Sequence, residues 1–277
     1  MIDTNKRRLK TNSSTISSSL SNNFNRDNSS SSNIWLSVRK LAVLIVLVMT
    51  LTAVSSLSAY ADRRNYVWTY QYVTMPKNVT ELEFYQTTKV KDKADDWEYR
   101  IEVEHGLTDR WDFSIYQIFK QKEGDAFKWD AVQFRTRYRI SEEGVLPIDP
   151  LLYFEYKRKT DSTAENKNKL EAKLILAKTL SKLNIAVNPL YEIYLNYKQE
   201  VGLDAGISWE LDPKLVLGLE STSRINIYKD GSTKSGSYFG PTVSVASGGW
   251  WYTAGAALGL TDDSDPARVR FLMGIDL

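Results

Sequence analysis

From residue 79 onward the chain alternates apolar and polar side chains with a period of two, in one segment after another. That period belongs to a strand with two different faces and not to a helix. In residues 97–106 one face carries Trp97, Tyr99, Ile101 and Val103, and the other carries Glu98, Arg100, Glu102 and Glu104. Val132, Phe134, Tyr138 and Ile140 oppose Gln133, Arg135, Arg137 and Arg139. Val201, Leu203, Ala205, Ile207, Trp209 and Leu211 oppose Gly202, Asp204, Gly206, Ser208 and Glu210. The last segment sets Val269, Phe271, Met273, Ile275 and Leu277 against Arg268, Arg270, Gly274 and Asp276. Turn residues punctuate these runs at 107–110, 141–150, 181–182, 212–214 and 247–249. Polar loops are expected at 91–96, 122–126, 160–167, 196–200, 228–236 and 261–266. The pattern predicts about twelve strands of roughly ten residues, the length a tilted strand needs to cross a bilayer.

Alternation does not say which face meets which solvent, since a soluble barrel or sandwich alternates with its apolar face turned inward. Three features favour a membrane barrel. Trp97, Trp111, Trp129, Trp209, Trp250 and Trp251 fall near expected strand ends, where aromatic girdles meet the membrane interface. The polar face carries charges of both signs, as a lumen does. The final residue, Leu277, lies on an alternating strand that can close the sheet. The expected fold is therefore all-β: an antiparallel up-and-down transmembrane β-barrel over residues 79–277.

The region before it reads as an export leader. Residues 1–34 are dominated by Ser and Asn and are expected to be disordered. Arg39-Lys40, an apolar run from Leu41 to about Leu57, and Ala59-Tyr60-Ala61 then form the parts of a secretory signal peptide, with cleavage expected after Ala61. An uncleaved anchor is the alternative, the run being close to the minimum spanning length. Residues 62–78 are expected to form a short N-terminal periplasmic arm, with Asn65–Thr74 an arm, a lumen plug or an extra strand. Such a chain is addressed to the outer membrane of a Gram-negative bacterium. Its partners there are outer-membrane lipid, the barrel-insertion machinery and a small solute as cargo.

Composition removes several functions. A formal charge of +2 gives no nucleic-acid surface, and the absence of cysteine removes thiolate metal sites and disulfides. The single histidine, His105, sits beside a turn, so a Ser–His hydrolase site is not expected. Glu98, Glu102 and Glu104 share a face at a spacing of roughly 7 Å per pair of residues. Arg100 stands among them and Arg135, Arg137 and Arg139 lie two strands away, so an ion-pair network is expected in place of acid–base or metal chemistry. No catalytic residue, cofactor or metal is assigned.

The pieces Trp68-Thr69-Tyr70, Pro76-Lys77 with Glu81-Leu82-Glu83, and above all Gly106-Leu107-Thr108-Asp109-Arg110-Trp111 resemble recurring pieces of Gram-negative outer-membrane β-barrels. These include barrel families without an assigned cargo and the channels linked to aromatic-compound and phenol degradation. The resemblance spans about 65–277. It implies a tight periplasmic turn at Gly106–Trp111, with Trp111 opening the next strand at the interface. Such barrels more often end in an aromatic residue than in leucine.

The function expected is a narrow passive pore or small-solute channel. Glu98, Arg100, Glu102, Glu104, Arg135, Arg137, Arg139, Asp204, Arg268 and Arg270 are the lumen charges that would set its preference. A closed, non-transporting structural or docking barrel is the competing reading, and a rim-located lipid-modifying enzyme a third.

Overall fold

The computed structural model describes residues 63–277; the leader, the signal peptide and cleavage after Ala61 lie outside the described residues. Twelve strands run in sequence order: β1 (Thr80–Val90), β2 (Asp96–Thr108), β3 (Trp111–Lys122), β4 (Lys128–Arg139), β5 (Asp149–Lys159), β6 (Asn168–Leu180), β7 (Leu183–Tyr194), β8 (Lys198–Asp212), β9 (Leu215–Tyr228), β10 (Thr233–Ser247), β11 (Trp250–Gly259) and β12 (Ala267–Asp276). Each pairs antiparallel with its neighbours in sequence, and β12 pairs back onto β1, from Glu81 opposite Asp276 to Val90 opposite Ala267. No sheet edge is left unpaired. This matters because a bare strand edge cannot be satisfied in hydrocarbon.

Two expected loops are shorter than the sequence pattern suggested. Strand β8 already begins at Lys198 and β10 at Thr233, because Lys198 pairs with Tyr194 and Tyr228, and Thr233 with Ile227. Polar residues there continue the ladder above the apolar belt. One end of the barrel, here the turn end, carries mostly tight turns, at 109–110, 181–182, 213–214 and 248–249. Gly248 and Gly249 both lie at positive φ, 61° and 84°, as a two-residue primed hairpin turn requires. The opposite, loop end carries longer connections at 91–95, 123–127, 160–167 and 260–266.

The wall is two-faced throughout. Outward side chains such as Ile101, Phe134, Phe154, Leu203, Ile207, Leu219 and Phe239 are exposed, while their sequence neighbours Glu102, Arg135, Glu155, Asp204 and Glu220 are buried inside. A continuous outer belt of large apolar side chains far exceeds the patch a water-soluble monomer carries, and its matching solvent is hydrocarbon. Proline fits this wall at a local cost. Pro189 and Pro241 stand mid-strand, and the β6–β7 and β10–β11 ladders skip beside them, resuming at Leu176 opposite Val187 and Thr242 opposite Gly255. A proline lacks the amide that would bridge these gaps.

Phe134 lies near the middle of β4 on the outward face. Phe134→Arg is expected to destabilise the barrel in a lipid bilayer by about 2–4 kcal/mol. Urea titration of protein refolded into vesicles measures this.

Candidate functional site

Residues 63–78 do not extend away from the barrel as the expected periplasmic arm does. They enter the lumen from the turn end, reach the middle of the tube and return to the same end, forming a re-entrant plug. Arg63 donates to the Pro213 carbonyl at 3.0 Å, and Asn65 to Ser208 Oγ at 3.2 Å, both near the turn end. The Tyr66 hydroxyl lies 3.0 Å from both the carbonyl and side-chain oxygens of Asn184. The tip follows. The amides of Val67, Trp68 and Thr69 converge on the Glu220 carboxylate at 2.7, 2.9 and 2.8 Å. Next, Tyr70 and Asn188 exchange a pair of hydrogen bonds, Tyr70 N to Oδ1 at 2.6 Å and Nδ2 to the Tyr70 carbonyl at 3.0 Å. On the way back Tyr72 donates to the Ser141 carbonyl (2.7 Å), Thr74 to that of Asp109 (3.1 Å) and the Met75 amide to Asp112 (3.0 Å).

The segment has alternating aromatics, yet it forms no ladder with the wall. Many of its backbone groups are met singly by lumen side chains and others within the segment, as where Gln71 Oε1 accepts from the Asn65 amide and the Gln71 carbonyl from the Val73 amide, in keeping with the rule that buried backbone polar groups are paired. Small wall residues make room. A Cβ at Gly206 would fall 2.6 Å from the Tyr66 ring, and one at Gly106 only 2.0 Å from the Pro76 carbonyl oxygen. The Tyr70 ring collects cations: Arg64 Cζ lies 4.1 Å and Lys173 Nζ 4.7 Å from its centroid. An aromatic face stabilises such charges.

Around the plug the wall charges neutralise one another. Arg135 bridges Glu102 (2.9 Å) and Glu104 (2.5 Å), and Arg137 bridges Glu104 and Asp112, the latter at 2.6 Å. Glu83, Glu102 and Glu104 offer carboxylate oxygens within 4.8 Å of one another, but Arg135 already lies against two of them. The Tyr85 hydroxyl sits between Glu83 (2.5 Å) and Glu102 (2.7 Å). Across the lumen Lys169 meets Glu155, Glu171 and Glu192 at 2.9, 2.8 and 3.2 Å. Arg224 clasps Asp204 with two contacts of 2.6 and 3.0 Å, beside Lys173 at 3.6 Å.

The two halves of the lumen differ in access to water. Along β2 the Glu98 side chain is 19% exposed and that of Glu102 0%. Arg100 and Lys120 share the wetter level, both against Glu98, at 2.8 and 3.6 Å. Arg268 rests on Asp265 at 3.4 Å, and Arg270 donates to Thr87 at 2.8 Å and to the Val67 carbonyl at 3.0 Å. Arg139 lies toward the turn end, its guanidinium donating to the Asp109 carbonyl. The lumen is therefore a charged vestibule open toward the loop end, floored by the plug and the ion-pair network.

Of the tryptophans expected at the interface, Trp111, Trp129 and Trp209 are exposed on the outer face, and Trp97 and Trp250 are half-buried. Trp251 is a correction. It is 0% exposed, lies inside against Gly274, and donates from Nε1 to Glu81 at 2.8 Å. Adjacent residues of a strand face opposite sides, so Trp250 and Trp251 cannot both be outside. His105 pairs with the Thr80 hydroxyl at 2.8 Å and packs edge-on to Phe113, so it has no carboxylate or serine nucleophile beside it among the described contacts. Among the loops, a cleft of about 550 Å³ is lined by Thr163, Lys167, Tyr197, Tyr228 and Asp230. Hydrogen bonds from the Ser232 hydroxyl and amide hold the Asp230 carboxyl below its usual range.

Comparison with known proteins agrees on the architecture. No protein-family model and no curated protein sequence matches the chain. Solved structures do. An outer membrane channel from Pseudomonas putida F1 is similar with a TM-score of 0.58 at 14% identity, covering 76% of this chain and 100% of that one. The NanC porin follows at 0.51 and 9% identity, over 72% and 98%, and the KdgM porin at 0.51 and 10%, over 71% and 99%. The chain shares its fold with outer-membrane channels.

Sequence alternation placed Glu220 on the lumen face but gave no sign that it holds three amides. It also left Asn184 and Asn188 unmarked, because their partners are backbone groups far along the chain. Glu220→Ala leaves those three buried amides without an acceptor, at a cost of about 1–3 kcal/mol each. Hydrogen exchange at residues 67–69 is expected to quicken by at least about tenfold, with exchange in β1 and β12 unchanged.

Proposed function

We propose that the protein is an outer-membrane channel for small polar solutes, with residues 63–78 closing its periplasmic half in the resting state. The apolar belt supports the membrane, and the shared fold supports the outer membrane in particular. The observation that carries the channel reading is the plug's mode of attachment. Tyr66, Val67, Tyr72 and Met75 of this segment are buried in the tube, Tyr66 and Tyr72 against Leu151, Tyr153 and Ile175, and Val67 against Tyr85, Tyr116 and Leu272. At the tip it is held by polar contacts beneath the charged vestibule: three amides on Glu220, a reciprocal pair with Asn188 and one bond from Arg270. Polar contacts exchange for water at little net cost, about 0.5–1.5 kcal/mol each, so the tip is more readily displaced than the side chains buried beneath it. In this orientation the turn end faces the periplasm and the loops face outward. The turn Gly106–Trp111, which carries the likeness to aromatic-degradation channels, is structural, and no cargo is taken from it.

A second reading has an observation of its own. The dry ladder Glu102–Arg135–Glu104–Arg137–Asp112 suits a barrel that never opens. Planar-bilayer recording decides between them. Wild type is expected to show small or intermittent conductance, and deletion of residues 63–75 to raise it several-fold, as Glu220→Ala does in part. Background current from both wild type and deletion would remove the channel.

A further inference from the structure

Charge in the vestibule is unevenly shared between its two sides. On the β6–β9 side Glu171 and Glu192 share Lys169, Glu200 has Lys198 at 2.8 Å and Asp204 has Arg224, while Glu220 accepts from the plug amides. On the opposite side, formed by β12, β1, β2, β3 and β5, cations outnumber their partners. Register places Lys89 opposite Arg268, Thr87 opposite both Arg270 and Glu98, Glu98 opposite Lys120, and Lys157 opposite Lys169. All of these lie on the lumen face. Lys120 is held by Asp130 at 2.8 Å, Arg268 by Asp265, and Arg100 by Glu98.

Lys89, Lys157 and Arg270 are different. Among the described residues none of the three has a carboxylate within ion-pair distance, and Arg270 has the neutral oxygens of Thr87 and Val67 and, at 5.6 Å, the Trp68 ring. Each also lies in the field of two or more other cations: Lys89 near Arg268 and Lys120, Lys157 near Lys169, Arg100 and Lys120, and Arg270 near Arg100 and Arg64. Glu98 is the carboxylate common to all three. Half-buried like charges between low-dielectric walls repel strongly, and a mobile counter-ion of opposite sign is drawn to them.

We propose that the lumen face carrying Lys89 and Arg270 on the adjacent strands β1 and β12, together with Lys157 on β5, is a binding site for a small multivalent anion bearing carboxylate or phosphate oxygens. This deepens the channel reading by naming the charge class of its solute. The guanidinium of Arg270 offers a planar fork at the floor, and the two lysines supply point charges above it. An anion that engages Arg270 competes with the Val67 carbonyl for the same donors. Occupancy of the site thereby weakens one of the contacts that hold the plug tip.

The test is an equilibrium binding measurement on the whole barrel folded in neutral detergent, by titration calorimetry at low ionic strength with citrate, and in parallel with inorganic phosphate. Saturable binding of at least one probe is expected. The double variant Lys89→Gln/Lys157→Gln should weaken it by at least about tenfold, as loss of two charge-assisted contacts implies. Glu98→Gln, which removes the competing carboxylate, should tighten it by about threefold or more. A misfolded barrel cannot bind more tightly, so the second variant separates a lost site from a lost fold. No saturable binding of either probe, or affinities within twofold across these variants, would overturn the proposal. Because binding needs no current, a barrel that binds citrate but never conducts loses the channel reading and keeps the site. One that conducts but binds neither anion does the reverse.

Discussion

A sheet closed on itself in hydrocarbon must pair its backbone amides and carbonyls within the wall, because lipid offers no hydrogen-bonding partner to a bare edge. The β1–β12 ladder meets that demand over ten residue pairs. Everything else follows from the closure. Once the cylinder is shut, each strand has one face turned to the acyl chains and one turned inward, and the inward face is where polar chemistry can be stored. The molecule uses it for ion pairs in one half and a wet vestibule in the other.

Charge inside such a tube carries a desolvation penalty that geometry must offset. In the dry half the offset is local: Arg135 and Arg137 each span two carboxylates, so Glu102, Glu104 and Asp112 all lie against a guanidinium. In the wet half partial hydration lowers the penalty, and imbalance becomes tolerable. The wall cations Lys89, Lys157 and Arg270 lie at or above the plug tip, while Arg64, on the plug, rests on the Tyr70 ring, the Tyr85 hydroxyl and the Thr69 carbonyl in place of a carboxylate. The plug itself obeys the same accounting with backbone in place of side chains, using Glu220 as an acceptor for consecutive amides.

The barrel wall was legible in the sequence because period-two patterning is a local property: Ile101 and Glu102 declare opposite faces without reference to any other strand. Pairing sequential strands then needed only turns, and these are marked by residues such as Gly248 and Gly249. Strand β11 was harder. Its small residues, Thr253, Ala254, Gly255, Ala256 and Ala257, give neither face a character, so nothing nearby revealed which of the adjacent Trp250 and Trp251 faces inward. For Asn65–Thr74 the sequence left arm, lumen plug and extra strand undivided, for a different reason. Its aromatic alternation looks like one more strand, and only contacts more than a hundred residues away in sequence, with Asn184, Asn188 and Glu220, distinguish a re-entrant segment from a paired one.

The plug runs straight into the wall. Between Met75, still held by Asp112, and the first residue of β1 lie only Pro76, Lys77, Asn78 and Val79, with Asn78 in the left-handed region and Lys77 bridged to Gly106. A stopper on so short a leash never leaves the vicinity of its seat. Its recapture is an intramolecular event at an effective concentration in the millimolar range or above, independent of how much protein the membrane holds. Opening would thus be self-terminating, with the resting seal restored by the chain's own connectivity.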